Sequence, residues 1–417
     1  QRDEMFFFGI GNHGGGPTKK CIRIILDLQS DQDSPPIRFS HLTRYYHCLT
    51  ETLSTESLPV VQTDLQHHAR GCYTSHSEVK RLNRRCEHAL MQAERWSAVG
   101  TVLQNLPIER EQIQDAWETV LFHQFHDILA GTSIEAAYQD VRNAYGSVLW
   151  TADKIRNRVI QEIAKRIDTS GEGRSIIVFN PLPWPVSAPV RVPSSVKRFL
   201  GRTLGILDDS GQEIPSQEIV GQQVGNTDLL FLADVPGLGY RTYRAVPLLN
   251  TPRKQESNRT LRIESGLLEN DYWRISVDQH SGEIVSLFDK KNGVETLERG
   301  LALCVMADQS DTWSHGVEGW RVEDGRFQLK SLQVLDSGPC TVTLRMVYEY
   351  NKSSAEIHLT LYRDIPDIHA TLYLNWQESY RLLKIAFKTK ISDGKATFDV
   401  PYGCIERERT GNEEPGQ

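Results

Sequence analysis

From Ser75 to about residue 165, apolar side chains return every three or four positions in three successive runs. The first run carries Val79, Leu82, Cys86, Ala89, Ala93 and Trp96. The second, from Glu109 to about Phe125, carries Ile113, Ala116, Trp117, Val120 and Leu121. The third carries Ile134, Tyr138, Val141, Tyr145, Val148, Ala152, Ile155 and Val159. A stripe at that period is the signature of an amphipathic helix. Three such helices joined by short connections hide their stripes most simply as an antiparallel three-helix bundle. Ser75-x-x-Glu78 and Thr132-x-x-Glu135 have the spacing of capping boxes, which predicts that they open the first and third helices.

The rhythm changes on both sides of this region. After the polar linker Asp168–Gly173, short alternating runs separated by turn residues continue to the end. Ser175–Pro181, Tyr272–Val277, Cys340–Leu344 and Ala370–Leu374 are examples, and the pattern predicts antiparallel β-sandwich structure. Before Ser75, Met5–Ile10 reads as a short buried strand and the glycine-rich Gly11–Thr18 as a βα loop. Helical patterns over Lys19–Leu28 and Ser40–Leu53 follow, then a second strand at Leu58–Val61. The expected fold class is therefore multidomain, α/β then all-α then all-β. Its boundaries are an α/β remnant at 1–74, a three-helix domain at 75–168 and a β-sandwich region at 174–417.

Composition narrows the function classes. With 417 residues, 39% hydrophobic and 24% charged, the chain has the makeup of a globular protein, and its net charge of −7 argues against a nucleic-acid partner. No apolar run approaches the roughly 20 residues of a membrane-spanning helix, so no membrane partner is expected. The seven cysteines are scattered, without a CxxC pair, which fits reduced thiols and a cytoplasmic location. The opening Gln1-Arg2-Asp3-Glu4 and the closing Pro415-Gly416-Gln417 lead us to expect an internal piece of a longer protein.

Two stretches carry the chemistry. His123-Gln-Phe-His126-Asp127 sits where the second helical pattern stops. On a helix the two histidines would share a face, either as solvated or core-bonded rings or as a metal ligand set with the neighbouring carboxylate. The second stretch, Asp308–Gly316, puts Trp313 between Asp311 and His315. That is a kit for gripping a sugar by stacking and hydroxyl hydrogen bonds, or else a surface loop with a structural tryptophan. The glycine run at 11–18 has neither P-loop nor dinucleotide spacing.

Taken together, several motifs resemble the zinc-dependent α-mannosidases of glycoside hydrolase family 38, in its bacterial branch. They are Gly11-Asn-His-Gly-Gly-Gly-Pro-Thr18, Gly71-Cys-Tyr-Thr-Ser75 and Gln124-Phe-His-Asp-Ile-Leu-Ala-Gly-Thr132. Asn180-Pro-Leu-Pro183, Ser310-Asp-Thr-Trp-Ser-His315 and Gly411-Asn-Glu-Glu-Pro-Gly-Gln417 follow in the family's order. The resemblance implies the end of an α/β catalytic barrel, a three-helix middle domain, and a galactose-mutarotase-like β-sandwich region that is cut short. It implies Zn2+ as cofactor with His126 as one of four ligands, and Asp127 as a partner of sugar hydroxyls. A His-x-Asp pair and the aspartate nucleophile complete the family's site. No His-x-Asp occurs here, so the nucleophile and the other ligands are expected upstream of Gln1.

The family's general acid/base is an aspartate near the glycine loop, where this chain has Asn12-His13. An imidazole titrates near ~6.5, close to what an acid/base needs, so His13 is the candidate, with Asp3 or an aspartate outside the chain as rivals. Asn12, Tyr73, Asp311, Trp313 and His315 are the remaining candidate substrate contacts. The expected reaction is retaining hydrolysis of an α-mannoside through a covalent glycosyl-enzyme. The substrate would be a mannose-containing glycan or glycoside, and a homodimer is kept open. Two alternatives stand beside it: a hydrolase of mannosyl-glycerate or its phosphate, and a non-catalytic carbohydrate-binding module.

Overall fold

A computed structural model describes the chain apart from residues 1–3, 11–14, 54–59, 61–69, 194–203, 222–226, 248–260, 318, 393, 401–402 and 408–417. It divides into two compact units, residues 1–63 and 64–417.

The first unit contains helices α1 (Lys19–Ser30) and α2 (Leu42–Thr52) and, among its described residues, no strand. Thr18 caps α1, its hydroxyl accepting from the Cys21 N–H at 3.1 Å. The Met5–Ile10 stretch was expected as a buried strand. Instead it is irregular, and the Phe6, Phe7, Phe8 and Ile10 side chains are exposed. An apolar run alone cannot pair; a strand needs a neighbouring ladder for its N–H and C=O groups, and none is present among the described residues. The strand expected at 58–61 lies outside the described residues except for Val60, which is exposed and not in a strand.

In the second unit α3 (Ser77–Gln104), α4 (Arg110–Phe122) and α5 (Glu135–Ala164) pack on one another around a common apolar core. Val79, Cys86, Leu90 and Ala93 of α3 meet Ile113, Ala116 and Val120 of α4 and Tyr138, Val141, Tyr145, Val148, Ala152 and Ile155 of α5. Burying a side chain such as Leu90 is worth about 1.5–3 kcal/mol, and this repeated term holds the helices together. Leu121 and Ile134 were expected in the core, but both are exposed, because α4 ends at Phe122 and Ile134 precedes the first turn of α5.

Neither capping box forms. The residue before α3 is His76, in the left-handed conformation at φ 51°, and it makes no side-chain cap. The Ser75 hydroxyl donates elsewhere, to Gly71 O at 2.9 Å and Thr312 O at 3.0 Å. The residue before α5 is Ile134, while the Thr132 hydroxyl lies 3.3 Å from Asp127 O.

Beyond the helices, strands 174–179, 240–247, 204–207 and 213–214 form one sheet, and 186–192, 227–235 and 216–220 form another. Phe231, Ile206, Tyr243 and Ala245 fill the space between them. A larger pair follows. One sheet runs over strands between 262 and 307, with 323–326 and 381–389, and the other joins 328–337, 341–350, 353–362 and 368–375. Ile275, Leu303, Val305, Leu344, Ile357 and Leu359 lie in that second core. Each core draws on facing, alternating positions of antiparallel strands. The two sandwiches meet at Ile219, Leu230 and Cys340, where the Gln217 side-chain carbonyl accepts from the Cys340 and Thr341 N–H groups. The helices rest on the first sandwich where Trp96 meets Phe179 edge-on at 5.4 Å. Among the described residues no helix is long and apolar enough to cross a membrane.

Candidate functional site

The residues between α4 and α5 fold as consecutive turns. Phe125 O accepts from the Ile128 and Leu129 N–H groups, and Asp127 O accepts from Thr132 N–H at 3.2 Å. His126 is therefore in a turn rather than on the helix, and it does not share a helical face with His123. His123 caps the end of α4, half-buried and edge-on to Tyr145 at 5.5 Å, and its buried Nδ1 has no partner among the described residues. Burial lowers its pKa, with Asp140 opposing, so the ring favours the neutral form.

His126 and Asp127 face solvent together. The His126 Nε2 lies 3.4 Å from the Asp127 Oδ2, the imidazole 73% and the carboxylate 46% exposed. The Phe125 ring lies beside the imidazole at 4.1 Å, and Phe125 and Phe122 are themselves exposed. The turn closes at Gly131, whose φ of +83° belongs to the left-handed region. A Cβ at Gly131 would lie 2.4 Å from Ser75 O, so only glycine lets the turn back onto that residue.

Ser75 is the meeting point. It follows the 3-10 turn Arg70–Tyr73, at whose end Tyr73 is exposed. Its hydroxyl joins Gly71 O to Thr312 O, and a Cβ on Gly71 would lie 1.9 Å from the Ser314 hydroxyl. Its carbonyl accepts from Lys80 Nζ. Burial pulls the Lys80 ammonium down to about 8, with the nearby Cys72 opposing, while burial pushes the Cys72 thiol up. His76 then stacks on Tyr138 with ring centres 3.9 Å apart. Three stretches far apart in sequence thus converge here: the turn at 70–75, the turn ending at Gly131, and the loop at 308–316. The sequence drew attention to Gly71–Ser75 but assigned Ser75 to a cap. Its bond to Thr312, 237 positions away, left no local signal.

The loop is tied to itself. The Asp311 carboxylate accepts from the Trp313 N–H at 3.0 Å and the His315 N–H at 3.2 Å, and pairs with His315 Nδ1 at 2.8 Å. The His315 side chain, then these N–H donors, hold its pKa below the usual carboxylate range. Trp313 is half-buried, and His315 keeps Nε2 for another partner. No hydrogen bond or ion pair among the described residues links Asp311–His315 to His126–Asp127 directly. Asn12 and His13 lie outside the described residues.

For a metal the His126–Asp127 pair has suitable chemistry, an open imidazole nitrogen beside a carboxylate oxygen. A tetrahedral zinc takes four donors, and among the described residues no group of three or more His, Cys, Asp or Glu could hold an ion. The pair fits one part of a metal site and does not complete it.

Comparison with known proteins places these segments. The family model described as "Alpha mannosidase middle domain" matches residues 67–163, and "Glycosyl hydrolases family 38 C-terminal domain" matches 268–417, together more than half of the chain. The chain belongs to glycosyl hydrolase family 38. Among its relatives is Alpha-mannosidase 2C1 of Mus musculus, 22% identical over 98% of this chain and 37% of the relative. The Homo sapiens protein of that name is 22% identical over 96% of this chain and 36% of its own length. The chain thus spans little more than a third of these relatives. A crystal structure from Enterococcus faecalis, titled as a protein in the glycosyl hydrolase family 38, shares the fold. Its TM-score is 0.69 at 12% identity, covering 94% of this chain and 53% of that one. The Ser75 junction ties a loop of the family's C-terminal domain to its middle domain.

Proposed function

We propose that this chain is part of a zinc-dependent, retaining α-mannosidase, with residues 1–74 as the end of its catalytic barrel and 75–168 as its three-helix middle domain. The observation that carries the proposal is the outward-facing His126–Asp127 pair, on a turn whose closing glycine is backed by Ser75. It lies within the stretch that matches the mannosidase middle domain. His126 would supply one zinc ligand, and the remaining donors are assigned outside the described residues. When bound, zinc supplies an electrophile that holds sugar hydroxyls.

Asp127 accepts hydrogen bonds from hydroxyls of the bound mannose. Its carboxylate is half-open, and the neighbouring backbone is fixed by Tyr138 and Thr132. Trp313 offers a face to the apolar side of a pyranose, while His315, its Nδ1 held by Asp311, presents Nε2 to a hydroxyl. Tyr73 is the exposed aromatic of the Ser75 junction, and Asn12 is assigned as a further polar contact. His13 is assigned as acid/base: it protonates the leaving oxygen and then deprotonates the water that releases the sugar. A cytoplasmic location is part of the proposal, supported by the scatter of the seven cysteines along the chain without a CxxC pair.

The test is an assay of the full-length gene product with added zinc, on an aryl α-mannoside and on mannosyl-glycerate. Turnover of the mannoside that is lost to a chelator and restored by zinc is expected. Turnover of mannosyl-glycerate alone would replace the substrate, and sugar binding without turnover of either compound would replace the enzyme by a binding module.

A further inference from the structure

Within the core of the three helices, a cluster of polar side chains lies against the start of the His126 turn. Asn83 on α3 is 7% exposed, and its side-chain oxygen accepts from the Tyr145 hydroxyl and from Gln124 Nε2, each at 3.2 Å. Its amide nitrogen donates to Glu87 Oε1 at 2.9 Å, and Gln124 Nε2 donates to the same oxygen at 3.0 Å. The other Glu87 oxygen pairs with Arg84 at 2.8 Å. One glutamine side chain, two positions before His126, is thus gripped by two residues of α3, while Tyr145 of α5 braces the first of them.

Buried polar groups cost stability unless every partner is in place, so such a cluster in an apolar core fixes geometry more than it adds stability. Here the geometry fixed is the start of the turn. The end of the turn has its own support: the Tyr138 hydroxyl accepts from Ser133 N–H at 2.9 Å and lies 3.3 Å from Asp127 O. The histidine and its carboxylate neighbour are held between these two posts.

We infer that Asn83, Glu87 and Gln124 are positioning residues for the His126–Asp127 pair, acting through the side chain of Gln124. The inference rests on the proposed role of His126 as a metal ligand. None of the three need touch substrate or metal. Their effect is to set where the imidazole points, and outer partners of that kind typically change metal affinity by about 10–100-fold.

The test uses the full-length gene product and four variants. Gln124→Glu sets a carboxylate against Glu87 and should weaken zinc binding about 10–100-fold in a competition titration. It should also speed amide exchange at residues 125–131. The reciprocal pair Glu87→Gln with Gln124→Glu restores one donor and one acceptor across the contact, and should recover at least about tenfold of that affinity. If Gln124→Glu does not fold, Gln124→Met, similar in shape but without a donor, is measured in its place. Zinc affinity within twofold of the parent in the single variants would overturn the inference, as would a double variant no better than the single one. His126→Ala is the control: zinc binding unchanged there would mean that the ligand assignment itself has failed. Zinc lost in His126→Ala but kept in Gln124→Glu would sink the positioning role alone.

Discussion

The turn at 123–134 and the loop at 308–316 each present an exposed histidine with an aspartate, and they are built in opposite ways. In the loop, the Asp311 carboxylate is spent on the loop itself, accepting two backbone N–H groups and the His315 ring. In the turn, the Asp127 carboxylate pairs, among the described residues, with the neighbouring imidazole at 3.4 Å, and support comes from beneath, through Gln124 and Tyr138. A carboxylate that shapes its own loop has little capacity left for a ligand. One whose backbone is fixed by others keeps more of its capacity for a ligand. The difference favours the turn as the chemical centre and the loop as a rim.

If that contrast is right, weakening the helical core should loosen the turn and spare the loop. Leu90→Ala removes a fully buried side chain from the core and should cost about 2–5 kcal/mol in urea unfolding. Amide exchange at 125–131 should rise with it, while exchange at 310–315 changes less. Equal acceleration in both would break the comparison.

Gly131→Ala attacks the join between turn and Ser75 directly. A left-handed backbone and a Cβ 2.4 Å from Ser75 O should together cost about 1–3 kcal/mol, read as a fall in Tm. Tyr138→Phe removes the acceptor for Ser133 N–H and should cost about 1 kcal/mol, with the exchange change confined to the end of the turn.

The smallest effect is acid loosening of the loop. The Asp311 pKa is lowered in the folded chain, so its contribution is present above the ordinary carboxylate value near ~3.9 and is lost as pH falls through the lower folded value. Amide exchange of Trp313 and His315, corrected for intrinsic rates, should therefore accelerate below about pH 4. An acceleration confined to higher pH would contradict the assignment.

What was legible in the sequence was the local period. Tyr138, Val141, Tyr145, Val148, Ala152, Ile155 and Val159 were all expected on one face of the third helix, and all are buried. Stripe reading failed at the ends, at Leu121 and Ile134, because a period says which side is apolar and not where the helix stops. The capping boxes failed for a related reason. Ser75 has the right neighbour at Glu78, but its hydroxyl is claimed by Gly71 O and Thr312 O, and the second partner is remote in sequence. The Asn83–Glu87–Gln124 cluster was equally invisible, since Asn83 and Glu87 are polar positions that add nothing to the apolar rhythm. His126 and Asp127 were found through a resemblance of motifs, whereas the contacts that hold them depend on packing between helices.

On the proposed function, the turn, and not the loop, contributes to the metal centre. The most direct measurement is zinc content per chain in the full-length gene product for His126→Ala and, separately, His315→Ala. Zinc should be lost from the first and retained by the second. Full zinc in His126→Ala, or its loss from His315→Ala, would contradict it.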